Sequence, residues 1–276
     1  MLVMNNKDKM NILKNIILIK FLTFVLFTTF INNKLYAHEL WLEPDYNNKN
    51  NYINIMIGQN FNGTPFGFSN SEVKQLFLEN KNDLQKINQR DGNFPAIQID
   101  IDVNKFNIIN YETNYSFLEY DTYDDFEKFI KEQNFSHLIK NINKKKIPTE
   151  NYKRFSKILI SNSNNFFLQK NNLDYEVVAL NSPFDRRNEY FEFRVIERNK
   201  PLKNFQVTIF SKESDNFYKD YVKTNPNGEG KIRLFENRSY LISAVTVKKA
   251  SLLEKLKLKS EWISHWASMT FYLNYN

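Results

Sequence analysis

The chain has 276 residues, no cysteine and a formal net charge of +7. Without cysteine there are no disulfide staples, no thiolate metal ligands and no cysteine-anchored lipid, so the core alone must hold the fold. Residues 1–37 carry five lysines and one aspartate, which leaves the remainder near +3 with both signs interspersed; that is an ordinary solvated surface and excludes nucleic acid as a partner.

In chain order, a basic stretch (Lys7, Lys9, Lys14) precedes an apolar run from Ile16 to Ile31 interrupted by Lys20, and polar Asn32-Asn33-Lys34 leads to Ala37. This is the layout of a cleaved secretory signal over residues 1–37, its apolar run too short and too interrupted for a membrane span. Cleavage after Ala37 leaves about 239 residues, enough for one large or two modest domains, and makes His38 the new amino terminus. No later segment is apolar enough to span a bilayer, so the mature chain is expected not to cross one.

Residues 38–113 read as a β-rich unit. Tyr52, Ile53, Ile55 and Ile57 alternate into Gly58, the stretch Phe61–Gly67 is dense in turn residues and predicts a surface loop, and Glu72–Leu78, Ala96–Ile101 and Lys105–Tyr111 are further strand candidates. Residues 114–160 read as a helical connecting region with a return strand. Asp121 or Thr122 caps a helix whose first turn holds Asp124 and Asp125, and Phe126, Phe129 and Ile130 recur at helical spacing. A second helical piece carries Leu138, Ile139 and Ile142 and ends in Lys144-Lys145-Lys146, a solvated helix end or a contact for an acidic partner. Arg154–Ile160 returns as a strand. Over residues 161–276, Tyr175–Leu180, Tyr190–Glu197, Phe205–Phe210, Lys231–Phe235, Tyr240–Val247 and Ser264–Leu273 are short strands punctuated by turns such as Thr224–Gly230. The prediction is a mainly β chain: an N-terminal β-rich unit, a short helical insert and a C-terminal antiparallel β-sandwich of immunoglobulin-like shape.

Several motifs recur together in one family. They are Ala37-His38-Glu39-Leu40-Trp41-Leu42-Glu43-Pro44, Lys128-Phe129-Ile130, Arg154-Phe155-Ser156-Lys157, Leu173 through Val178, Lys200-Pro201-Leu202, Thr224 through Gly230, and Glu261 through Phe271. In these the chain resembles a bacterial periplasmic family described as a domain of unknown function, whose members are often described as periplasmic components of nickel or cobalt uptake. The resemblance covers nearly the whole mature chain and implies a periplasmic, β-rich protein that handles metal and works with a metal-uptake transporter. The chain departs from the family pattern at Val245-Thr246-Val247, where members often carry a histidine, and at His265, where an aromatic residue is more usual.

His38 is the sharpest chemical candidate. As an amino terminus it offers an α-amine with a pKa near ~7.7–8.0 and an imidazole near ~6.5 to one ion. Nitrogen donors of this kind suit Ni²⁺, Co²⁺, Cu²⁺ and Zn²⁺; Glu39, Glu43 and Asp45 are close enough in sequence to add oxygen. The plain alternative is that His38 is simply the first residue before a strand. His265 alternates with Ala267, Met269 and Phe271 and is a second candidate nitrogen ligand, or a packed histidine with one hydrogen bond. His137 lies on a polar helix. Trp41, Trp262 and Trp266 read as core in preference to a sugar-binding face, and Arg154 with Lys157 as anion holders or as members of ion pairs. No G-x-S-x-G, H-E-x-x-H or phosphate-loop motif is present. Three functions stay open: a non-enzymatic metal carrier using His38, Glu39 and His265; a copper oxidoreductase with His38 and His265 as a brace; and a sandwich that binds carbohydrate or protein without metal.

Overall fold

Strand β16 (Trp262–Tyr272) carries two different faces, and the fold is built on both. Trp262, Ser264, Trp266, Ser268 and Thr270 point one way; Ile263, His265, Ala267, Met269 and Phe271 point the other. The computed structural model describes residues 38–45, 52–81, 83–140, 142–169 and 172–273; the signal expected over residues 1–37 lies outside them.

β16 pairs antiparallel with β15 (Ser239–Lys249) and parallel with β8 (Thr149–Ile160). Beyond β15 come β12 (Gln206–Glu213) and β13 (Asn216–Lys223), and beyond β8 come β6 (Asn107–Thr113), β4 (Val73–Glu79) and β5 (Leu84–Lys86), with β7 (Ser116–Glu119) also pairing to β8. This nine-stranded sheet draws on all three stretches read from the sequence, 38–113, 114–160 and 161–276. One parallel pair, β8 with β16, therefore stitches the helical connecting region into the sandwich.

The His265 face packs against a second sheet of β9 (Tyr175–Ala179), β10 (Tyr190–Glu197), β11 (Lys200–Pro201) and β14 (Glu229–Arg233). Phe155, Tyr175, Val177, Phe191, Phe193, Val207, Ile242, Met269 and Phe271 fill the space between the sheets, with Phe191 and Phe271 4.7 Å apart at their ring centres. The chain is thus a β-sandwich. Each large side chain buried here contributes about 1.5–3 kcal/mol, which is how a fold without disulfides holds together.

The Trp266 face is covered by two different elements. Helix α1 (Tyr123–Glu132) is capped by Thr122, whose hydroxyl accepts from the Asp125 N–H at 3.2 Å, and ends before Asn134, a left-handed residue with φ of 63°. It lays Phe126 on Trp262 (4.9 Å) and Phe129 flat on Trp266 (5.5 Å). Beside it stands a three-stranded antiparallel sheet, β1 (Glu39–Pro44), β2 (Ile53–Gln59) and β3 (Asn62–Phe66).

That small sheet meets the large one edge-on. Leu40, Leu42, Ile53 and Ile55 on one of its faces join Ile109, Tyr111 and Ile158, while Trp41 on the other joins Phe61, Phe210 and Leu241. Burying both faces this way is why the middle of β1, Leu40-Trp41-Leu42, is an unbroken apolar run. Gly63 is required there: a Cβ at that position would lie 2.6 Å from the Trp41 ring and 2.5 Å from the Ile57 carbonyl oxygen.

Three sequence expectations change. The expected loop Phe61–Gly67 is strand β3, made by a hairpin whose turn residues Asn60 and Phe61 take positive φ while Phe61 buries its ring against Trp41. The expected strand Ala96–Ile101 is irregular, with Ile97 making one bridge to Ile53. The second helical piece shrinks to a 3₁₀ turn, Ser136–Ile139. Helix α2 (Leu252–Leu258) and strand β13 are exposed along their length and gave no inside–outside pattern to read.

Candidate metal site at His38

Three side chains of the large sheet hold β1 in place. Arg154 Nε donates to the His38 carbonyl at 3.0 Å, Ser268 Oγ to the Leu40 carbonyl at 2.7 Å, and Thr270 Oγ1 to the Leu42 carbonyl at 2.6 Å. Arg154 lies opposite Trp266 in the β8–β16 register, so the three donors form one row with the spacing of alternate strand residues. The carbonyls they satisfy belong to the edge of β1 that does not pair with β2, which would otherwise be a buried row of unpaired acceptors. His38 is therefore anchored through its backbone at the first residue of the fold's described part.

The side chains around it divide by strand parity. Glu39 shares a face with Trp41 and Glu43; Leu40 and Leu42 take the other. His38 is half-buried, and burial followed by the nearby Arg154 charge lowers its imidazole pKa, favouring the neutral, donor-ready ring. Burial raises the Glu39 carboxyl to about 7; Glu132 at the end of α1 pushes in the same direction, and Lys219 and Arg154 oppose it. Arg154 itself is buried, its guanidinium 4.5 Å from the Tyr152 ring, and burial is the main influence lowering its pKa. Burial likewise pushes the Tyr111 phenol up to about 12.

His265 is elsewhere. It points from the opposite face of β16, into the sandwich, where its ring sits edge-on to Phe155 at 5.9 Å and 6.4 Å from Tyr175. Tyr115 OH lies 2.9 Å from Nε2, and Nδ1 lies 3.1 Å from Glu197 Oε1. A neutral ring with its proton on Nδ1 donates to Glu197 and accepts from Tyr115, so both nitrogens are engaged. His38 and Glu39 thus share one neighbourhood around Arg154, and His265 does not join them. A two-histidine brace has no geometry here, because the nine-stranded sheet lies between its two members.

The remaining candidates are structural. His137 is exposed beside Phe135. All three tryptophans are buried. Lys157 is fully buried in an ion pair with Glu176, while Arg154 serves as the β1 anchor. That anchoring role was missed in the sequence because its partner is a carbonyl, invisible to residue-type reasoning. A charged trio near His265, in which the buried Glu112 pairs with the buried Lys153 and the exposed Lys74, was missed too. Among the described residues no three His, Cys, Asp or Glu side chains converge into a group that could hold a metal ion, so side chains alone do not complete a cage around His38.

Comparison with curated proteins gives no match. A family model does match, over residues 35–248, from just before the His38 motif to the end of β15, most of the chain. The chain therefore belongs to the family defined by the domain of unknown function DUF4198.

Proposed function

We propose that this is an exported, periplasmic, non-enzymatic protein that binds a late first-row divalent metal, nickel or cobalt in type, at a mature amino terminus formed by His38, and supports its uptake by a membrane transporter. The observation that carries the reading is the Arg154 bond to the His38 carbonyl. It fixes the backbone of the residue whose α-amine and imidazole would chelate the ion, so both nitrogens start from one defined position. The six-membered chelate that the α-amine and imidazole Nδ1 of one residue form needs no side-chain cage, and the lowered imidazole pKa keeps the ring ready to donate at neutral pH. Glu39 supplies an oxygen donor beside the Arg154 guanidinium.

The signal-like layout of residues 1–37 and the family resemblance support the same reading. The test is native mass spectrometry of the chain purified from its export route, titrated with Ni²⁺, Co²⁺, Cu²⁺ and Zn²⁺. One ion bound tightly to a chain that begins at His38, and lost when a single residue is retained ahead of it, is the expected result. Equal affinity for the extended chain would sink the proposal.

A further inference from the structure

Helix α2 buries none of its residues, yet four of its seven are leucines. Leu252, Leu253 and Leu256 are 82%, 79% and 79% exposed and share one helical face at i, i+1 and i+4. Single exposed leucines are ordinary; three together at this exposure on one turn form an exposed apolar face. The helix is too short to be stable by propensity. It is held by a full capping box between Ser251 and Glu254 and by a 2.6 Å bond from Lys248 to Glu254.

The charges around this face are nearly all positive. Residues 248–261 contain five lysines and two glutamates, and both glutamates are already spent: Glu254 on Lys248 and Glu261 on Lys146. Among the described residues, Lys249, Lys255, Lys257 and Lys259 have no carboxylate within ion-pair distance. Between α2 and the segment 142–148 lies a cleft of about 240 Å³. Lys146, Lys249 and Lys255 ring it, Trp262 lies beneath, and Glu261 is its one carboxylate. The basic run Lys144-Lys145-Lys146 and the part-exposed Ile147 continue the same surface.

We propose that this face docks the protein on an anionic phospholipid bilayer, with Leu252, Leu253 and Leu256 entering the headgroup–acyl boundary and the lysine-ringed cleft taking a lipid phosphate. Apolar side chains at the tip with lysines behind them match the physics of interfacial helices: burial of the leucines supplies affinity, and the lysines supply selectivity for negative lipid. A protein partner with a groove for three leucines would need acidic side chains to meet four unpaired lysines; a bilayer rich in phosphatidylglycerol presents that charge everywhere. The inference is independent of metal binding at His38.

The test is flotation of the exported chain with vesicles of pure phosphatidylcholine or of phosphatidylcholine with about 30 mol % phosphatidylglycerol. The wild-type chain floats with the anionic vesicles only. The triple variant Leu252→Ser, Leu253→Ser, Leu256→Ser loses at least about tenfold in affinity while keeping its melting temperature, since all three are at the surface. Lys249→Gln with Lys255→Gln binds both vesicle types equally weakly. Failure of the wild-type chain to float, or a leucine triple that floats unchanged, would overturn the proposal. So would a concentration-dependent dimer that disappears in the triple variant, because the face would then belong to a second copy.

Discussion

The Arg154 guanidinium bonds to the carbonyl of His38, 116 residues away in sequence, and so ties the middle of the large sheet to the start of the first strand. The arginine is buried, and its Nε is the third donor in the row completed by Ser268 and Thr270. Arg154→Met keeps much of the packing and removes the donor, leaving an unpaired carbonyl. The expected loss is about 1–3 kcal/mol in a urea melt. Ser268→Ala, with a neutral hydroxyl in the same row, should cost less, about 0.5–1.5 kcal/mol. If the proposed chelate is correct, metal affinity falls in Arg154→Met and survives in Ser268→Ala, because only the first frees residue 38. Equal affinities in the two variants would show that the anchor does not bear on the site.

His265 gives the opposite pattern. It is on the far face of β16, between Tyr115 and Glu197. His265→Phe should leave metal stoichiometry and affinity unchanged while lowering stability by about 1–3 kcal/mol through two lost hydrogen bonds. The pH dependence has a definite sign. The bond from His265 holds the Glu197 carboxyl below its ordinary value, so its stabilisation is present above the unfolded pKa and fades as pH falls through the folded one. His265→Phe therefore flattens that part of the acid limb in a thermal melt series. A variant that instead lost metal binding would return His265 to the site.

The sandwich was readable in the sequence because its strands alternate: Tyr190–Glu197 runs apolar–charged, matching β10 residue for residue. Helix α1 was readable through its Thr122 cap and the Phe126, Phe129, Ile130 spacing. What could not be read was pairing at long range. The parallel union of β8 with β16 joins segments more than 100 residues apart and leaves no local mark. The site shows the same division. His38 and Glu39 stand out by residue type and position, whereas their separation from His265 follows from which face of β16 each meets. That requires the register of three strands. Helix α2 had local marks, the Ser251 and Glu254 capping pair and leucines at helical spacing, but its apolar face has no core to serve, so no strand or helix of the packed fold called for it.

Glu150 is fully buried under α1, accepting from Tyr120 OH at 2.5 Å and from the Ser264 hydroxyl, which in turn accepts from the Trp266 indole at 2.8 Å. Burial raises its pKa, and the two hydrogen bonds and the Arg154 charge only partly oppose this. A carboxyl whose folded pKa is raised stabilises the fold when protonated, and that contribution is lost as pH climbs from the unfolded value through the folded one. Glu150→Gln keeps a polar partner for Tyr120 and Ser264 without the ionisation. The variant's melting temperature should match the wild type near pH 4 and exceed it increasingly toward neutral pH. A constant difference across that range would show that ionisation at Glu150 carries none of the pH dependence.

Lys157 and Glu176 form an ion pair in which neither side chain has any solvent exposure. Burial outweighs the lysine's attraction, because the Glu176 pKa is raised despite its partner. Such a pair adds little net stability, but breaking it from one side strands a charge in the core. Glu176 also accepts weakly from the Leu173 N–H and the Gln169 amide, both at 3.4 Å, so a useful replacement keeps an oxygen there. Lys157→Met alone should cost about 3–5 kcal/mol, a large share of the stability of a domain this size. Lys157→Met with Glu176→Gln should recover most of that loss, since no charge is left behind. The readout is a four-protein urea cycle completed by Glu176→Gln alone, with an expected coupling of at least about 2 kcal/mol. Additive losses would mean that the two side chains are stabilised separately, by the loop over residues 163–169 and not by each other.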